Sequence, residues 1–192
     1  MEREIFLTGI GGQGVQLAAK ILALAATLEG RRVMSLGTYG GTMRGGNTDG
    51  TVVIADCEIT SPPIVSRGWA ALVVHPQFFA PVRCKLRPDS IVVMDADLAP
   101  DDRDASGFTT FPISAAAIAR DIGAPMAGAL VLLAAFCGTS ELVALDSLVS
   151  AMREAIPPYR TQHIEANTKA LEVGYASLPR GGAVAWPEAV AS

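Results

Sequence analysis

The sequence predicts an α/β domain of Rossmann-like character, with a mostly parallel sheet and helices on both of its faces. Three observations carry that expectation. Short runs of Val, Ile and Leu alternate with helical stretches along most of the chain, which is the pattern of a sheet covered on both sides. The first such run leads through a Gly-rich turn directly into a helix, as in units that bind ligands at the carboxyl end of a strand. Half of the 192 residues are apolar and only 18% are charged, too hydrophobic for disorder and enough for one core.

The elements follow in order. Residues 4–8 read as a first strand and residues 9–14 as the turn. A helix is expected over 15–28, because its polar members Gln16, Lys20 and Thr27 fall within about 40° of one another at 100° per residue. So narrow a polar stripe implies burial on more than one side, by the helix's own sheet and by another subunit through Ala19 or Ala23. Residues 32–36, 51–55, 70–74 and 90–94 read as further strands, with a crossover helix over 76–86 and a short strand over 108–111. Helices are expected over 115–122, 126–137, 141–156 and 159–173, the last two parted by Pro157-Pro158. The domain is thus placed over 1–177. From Leu178 to Ser192, Pro179, Gly181, Gly182 and Pro187 predict an extended tail, free or wrapped on a partner.

Several function classes are excluded. With 15 basic and 19 acidic side chains the net charge is −4 and the cations are scattered, so nucleic acid is not the partner. The longest apolar stretch, residues 124–137, is well short of the roughly 20 needed to span a bilayer. The N-terminal residues enter a strand pattern directly, without the layout of a signal peptide. Cys57, Cys84 and Cys137 are widely spaced, which suits neither a disulfide framework, a zinc site nor an iron–sulfur cluster in this chain alone. A reducing cytoplasm is the compartment they fit.

Two motifs carry the candidate site. Gly9-Ile10-Gly11-Gly12-Gln13-Gly14 satisfies GxGxxG between a strand and a helix. Its glycines permit a tight turn and close approach, and the helix N-terminus offers N–H groups to a phosphate. An NAD site also calls for an acidic residue about 20 positions on, and Ser35-Leu36-Gly37 supplies none. The second motif, Tyr39-Gly40-Gly41-Thr42-Met43-Arg44-Gly45-Gly46-Asn47, sets one Arg among glycines. That composition suits a backbone nest for an anion or a close contact with another surface.

Taken together, the two motifs resemble the gamma subunit of the 2-oxoacid:ferredoxin (acceptor) oxidoreductases. The resemblance continues through Thr51-Val52-Val53-Ile54, residues 59–63 and the segment Asn167 to Gly174, and so covers roughly residues 3–175. Gly41-Thr42 stands where that family commonly has Pro-Glu, and Gly128 stands about where an Asn is frequent. The resemblance implies a complex that oxidatively decarboxylates a 2-oxoacid to an acyl-CoA, using thiamine diphosphate, Mg²⁺, iron–sulfur clusters and coenzyme A. It implies alpha, beta and delta-type partner subunits that carry those groups, with ferredoxin or a further subunit as electron acceptor. This chain is then an accessory domain that holds no cofactor alone, has no catalytic or metal-binding residue, and meets coenzyme A or a partner. The residues assigned to that contact are Gly9, Gly11, Gly12, Gln13, Gly14, Thr42, Arg44, Gly45, Gly46 and Asn47. Both loops are expected on one carboxyl edge of the sheet. The alternatives are a stand-alone nucleotide- or CoA-binding module and an NAD(P)-dependent reductase.

Other polar residues are read as structural. His75 follows a strand and is expected to be buried and hydrogen-bonded, and His163 to be solvated. Asp95 and Asp97, with Asp101, Asp102 and Asp104, suit Mg²⁺ in principle, while a solvated acidic loop is the simpler expectation. The three cysteines have no neighbouring base in sequence and are taken as inert.

Overall fold

A computed structural model describes residues 1–39, 45–59, 64–98 and 107–186. Strand β1 (Glu2–Ile10) is followed by α1 (Val15–Leu28), β2 (Arg32–Tyr39), β3 (Asn47–Ala55) and β4 (Gly68–Val73). Then come α2 (Phe79–Arg83), β5 (Leu86–Asp95), β6 (Thr109–Ile113), α3 (Ala115–Asp121), α4 (Gly128–Ser140), α5 (Leu145–Ala155) and α6 (Ile164–Tyr175). Short 3₁₀ turns precede α2, α4 and α6.

The six strands form one sheet in the order β2-β3-β1-β4-β5-β6. The pairs β1–β4, β4–β5 and β5–β6 are parallel, and β3 is antiparallel to both of its neighbours. The mostly parallel α/β fold is therefore present, with one departure from a doubly wound sheet. Strand β3 lies between β1 and β2, so β2 runs in the direction of β1 without touching it.

Side-chain alternation divides the sheet's contacts. Ile5, Leu7, Val52, Ile54, Leu72 and Val93 face α1 and α4 in the large core, while Phe6, Ala71, Val73, Val92 and Met94 pack with Phe79 and Val82 of α2. That second cluster contains no residue of β2 or β3. The expected helix over 76–86 is reduced to a 3₁₀ turn and the five residues of α2. Pro76 suits the first position of the turn, but Pro81 lacks the N–H that a continuous helix would bond to the Gln77 carbonyl, which divides the run.

Helix α1 has the limits expected and is buried by its own sheet as expected, while its second covering element is a helix of the same chain. Its buried side is covered by β2 and β3, and α5 of the same chain lies along it. Ala19 is 3% exposed and belongs to the core, so it is no part of a subunit interface; Ala23 is half-buried against the same core. Helix α4 is buried at every position from Ala129 to Ser140, as an all-round apolar helix must be. It ends at Glu141, which takes φ 52°, and this turn delays α5 to Leu145.

The described part of the tail, residues 178–186, folds back on its own domain. Arg3 Nε donates to the Ala185 carbonyl at 2.6 Å, Ala185 N–H to the Ser140 carbonyl at 2.7 Å, and Trp186 Nε1 to the Leu142 carbonyl at 3.0 Å. Arg31 stacks over the Trp186 ring at 3.9 Å.

Candidate functional site

Both Gly-rich loops leave the same edge of the sheet, as expected. Ile10, the last residue of β1, pairs with Asn47, the first of β3, and Tyr39 at the end of β2 pairs with Thr48. The loops also touch: Gly11 N–H donates to the Gly46 carbonyl at 2.9 Å. A Cβ on Gly11 would lie 3.3 Å from Thr48 Oγ1, so the residue's smallness permits this approach. Gly14 takes φ 85° at the N-cap of α1, where its carbonyl accepts from Ala18 N–H. Of the other residues assigned to the contact, Gly45 takes φ 74° beside this junction. Thr42 and Arg44 lie outside the described residues.

Much of the first loop's hydrogen bonding is internal. Gln13 N–H donates to the Ile10 carbonyl at 3.1 Å, and Gln13 Oε1 turns back to accept from Ile10 N–H at 2.9 Å. With Gly11 N–H joined to Gly46, the turn fastens the second loop as much as it presents donors outward. Asn47 belongs to a small polar network. Asp49 accepts from Thr8 Oγ1 and from Asn47 Nδ2, both at 2.7 Å, and the amide oxygen of Asn47 is buried without a partner. Gln16 Nε2 donates to the Asp49 carbonyl at 2.7 Å, tying α1 to the same stretch of β3.

Beside the junction lies a cleft of about 270 Å³ at the carboxyl ends of β1, β4 and β5. Gly12, Gln13, Val74 and Asp95 form one side, and Ala115, Met126, Ala129 and Leu132 bring in α3 and the start of α4. This is the switch-point crevice where α/β sheets bind ligands. Asp95 differs from the solvated acidic residue expected. It is 6% exposed and holds the start of α3, accepting from Ala116 N–H at 2.9 Å and from Asp97 N–H at 3.1 Å. Asp97 accepts from Ser114 Oγ, while Asp101, Asp102 and Asp104 lie outside the described residues.

The histidines are structural or exposed. His75 is half-buried and its Nδ1 accepts from Gln77 N–H at 3.3 Å, and His163 is exposed. Thr8, Asp49 and the cleft were not legible in the motifs. Thr8 and Asp49 are single polar residues in strands, and their pairing depends on β3 lying beside β1.

The cysteines are separated in space, with Cys57 and Cys84 exposed and Cys137 buried. Burial pushes the Cys137 thiol far above its ordinary range. Two thiols are therefore expected to react quickly with a thiol reagent in the native protein, and the third only after denaturation. The same shift favours the fold below the ordinary thiol pKa. That contribution fades as alkaline pH ionises the unfolded thiol, so the urea midpoint should fall there, and less so in Cys137→Ala.

Geometry alone defines the class: an α/β domain with a mixed sheet and two joined Gly-rich loops beside a switch-point cleft. The gamma subunit of a keto/oxoacid ferredoxin oxidoreductase from Geobacter sulfurreducens shares this fold with a TM-score of 0.74 at 24% identity, over 90% of this chain and 96% of that one. A 2-oxoglutarate:ferredoxin oxidoreductase from Magnetococcus marinus aligns with a TM-score of 0.82 at 18% identity, over 97% of this chain but 33% of that longer one. In sequence, the pyruvate ferredoxin/flavodoxin oxidoreductase family matches residues 4–177. The 2-oxoglutarate synthase subunit KorC of Methanocaldococcus jannaschii is 29% identical over 91% of this chain and 93% of its own length. The pyruvate synthase subunit PorC of the same organism is 30% identical over 90% and 94%. The chain belongs to the pyruvate ferredoxin/flavodoxin oxidoreductase family, as a gamma subunit of a 2-oxoacid:ferredoxin oxidoreductase. Its enzymatic role is that of one subunit in a multi-subunit complex.

Among the described residues, no helix is long and apolar enough to cross a membrane. The NAD(P)-reductase alternative also meets a geometric obstacle. The ribose-binding acidic residue of that fold ends the strand adjacent to the first, and here the adjacent strand on that side is the antiparallel β3.

Proposed function

We propose that this chain is an accessory subunit of a complex in which other subunits hold thiamine diphosphate, Mg²⁺ and the iron–sulfur clusters. Its own Gly-rich edge then meets coenzyme A or a neighbouring subunit. The observation that carries the reading is the Gly11–Gly46 junction, which unites the two family motifs on one edge beside the cleft. The protein's cysteines do not fit a cluster, since the buried thiol and the two exposed ones give no set of converging sulfur ligands. The glycine backbone and the largely apolar cleft beside it fit close approach by the uncharged arm of coenzyme A. When bound, coenzyme A supplies the thiol that accepts the acyl group. This chain's part is to bind and orient it, or to hold the subunit that does.

Relatives named for 2-oxoglutarate and for pyruvate are matched almost equally, at 29% and 30% identity. The reading therefore assigns a 2-oxoacid as substrate class, with the particular acid selected in a pocket of another subunit, and ferredoxin as the electron acceptor. The cytoplasm is the proposed location.

Arg44→Ala in the assembled complex tests the edge. A charge-assisted hydrogen bond contributes on the order of 1.5–3 kcal/mol, or roughly one to two decades in affinity. The variant should raise the apparent KM for coenzyme A with the complex intact, or weaken the complex itself. Unchanged CoA dependence together with unchanged assembly would show the loop to be a solvated surface feature.

A further inference from the structure

The segments that bound both Gly-rich loops converge on one residue, Asp49. Its carboxylate accepts from Thr8 Oγ1, directly opposite on β1, and from Asn47 Nδ2, two residues back on the same face of β3, both at 2.7 Å. Its main-chain carbonyl accepts from Gln16 Nε2 of α1, the helix into which the first loop leads, also at 2.7 Å. Thr8 is fully buried, so its hydroxyl meets the carboxylate away from water. Asn47 is the first residue with a side chain after Gly45 and Gly46, whose backbones carry little constraint of their own. The peptide joining Gly46 to Asn47 is planar, so holding Asn47 also directs the Gly46 carbonyl that receives Gly11 N–H at 2.9 Å. An ionised carboxylate can only accept, which turns the Asn47 amide so that its nitrogen faces Asp49. The amide oxygen is thereby left buried without a partner, a cost that marks a geometry kept for position rather than for stability.

We propose that Asp49 is a positioning residue of the Gly-rich edge: acting through Asn47, it holds the second loop against the first in the geometry in which the edge makes its contact. The proposal rests on the reading of that edge as the place where coenzyme A or a neighbouring subunit is met. Asp49 belongs to neither Gly-rich motif. Its influence passes through the Asn47 side chain and the Gly46–Asn47 peptide, while Thr8 sets the angle of its carboxylate. A run of glycines has many backbone conformations, so a tether at its last residue restricts it where the two loops join. Restriction of this kind raises affinity by lowering the ordering cost of binding, and it leaves the chemical step alone.

Asp49→Ala and Asp49→Asn, made in the chain assembled with its partner subunits, test the tether, with Arg44→Ala as the comparator. Asparagine keeps both bonds: its amide can accept from Asn47 and donate to Thr8, whose hydroxyl then turns to the Phe78 carbonyl at 3.4 Å. Alanine removes both. Hydrogen exchange of the peptide spanning residues 9–14 reports the junction itself, and it should quicken several-fold in Asp49→Ala while staying near the parent in Asp49→Asn. Asp49→Ala should also reproduce the effect of Arg44→Ala, a several-fold rise in the apparent KM for coenzyme A or a weaker complex, with kcat unchanged. Where Asp49→Ala fails to fold in a melting curve, Thr8→Val, which removes only the bond that orients the carboxylate, carries the same expectations in weaker form. Parent-like exchange in a folded Asp49→Ala would refute the tether. Quickened exchange with coenzyme A dependence and assembly unchanged, where Arg44→Ala alters either, would refute the positioning role and leave the edge as the contact. Equal losses in Asp49→Ala and Asp49→Asn would make the charge rather than the tether the cause, and the proposal would fail. No effect from Arg44→Ala would instead overturn the reading of the edge, and this proposal with it.

Discussion

Ala19→Glu is expected to abolish the folded domain rather than to loosen a complex. Ala19 lies on α1 against β3, where a Cβ on Gly50 would sit 3.0 Å from the Ala19 Cβ. The strand has no side chain there because there is no room for one. Glutamate brings four more heavy atoms and a charge into this contact, and the position is 3% exposed. Overpacking costs about 1–3 kcal/mol, and burying an unpaired carboxylate costs several more or forces it to bind a proton. Against a total stability of roughly 5–15 kcal/mol, that sum removes most of the margin. Circular dichroism and a thermal melt should show an unfolded or strongly destabilised chain. Lys20→Glu, one residue on and exposed, should stay within about 0.5 kcal/mol of the parent. Ala23→Glu should remain folded, since that half-buried position lets the carboxylate reach water. A cooperative, parent-like melt for Ala19→Glu would show that α1 can move off β3, and would restore this surface as a candidate interface.

The legibility of α1 and the illegibility of its surroundings have one physical origin. A helix of 3.6-residue period declares its limits locally, and residues 15–28 were readable from Gly14 and the polar stripe. What covers that helix is decided by α5, more than a hundred residues away. Likewise the Val and Ile of residues 51–55 declare a strand, but alternation carries no sign of its direction. The signal for antiparallel pairing lay in the connection. Only residues 40–46 separate β2 from β3, and a parallel crossover takes a dozen or more. Strand β3 begins at Asn47 because Thr48, Asp49 and Gly50 pair through their backbones, and such polar residues give no hydrophobic cue. The candidate glycines were legible because glycine marks backbone need by itself. Asp95 was visible as an acidic residue ending a strand, yet its role depends on Ala116 and its cleft on residues 125–132, which the sheet brings together only on folding.

Gly174→Ala should lower stability although it improves helix propensity. Alanine is favoured over glycine by about 1 kcal/mol inside a helix, so α6 taken alone would gain. The crossing of α6 with α4 decides otherwise. A Cβ on Gly174 would lie 2.4 Å from the Val131 carbonyl oxygen and 2.9 Å from its Cα. Both are backbone atoms of a helix that is buried along this length, so no side chain can swing aside. Two turns further along α4, the contact is reciprocated. A Cβ on Gly138 of α4 would lie 2.2 Å from the Tyr175 carbonyl oxygen. The helices meet backbone to backbone at two glycines, and alanine at either must push them apart. Separation would disturb the packing of Ala170 and Leu171, both fully buried. An overpacking cost of about 1–3 kcal/mol or more exceeds the propensity gain. For a chain of this size each kcal/mol lowers the melting temperature by roughly 2–4 °C. Gly128→Ala is the internal comparison, since a Cβ there meets nothing nearer than 3.8 Å at the start of α4. That variant should melt at or above the parent, while Gly174→Ala and Gly138→Ala melt below it. If all three raise the melting temperature alike, propensity outweighs packing and the close approach of α4 and α6 is not a constraint on the fold.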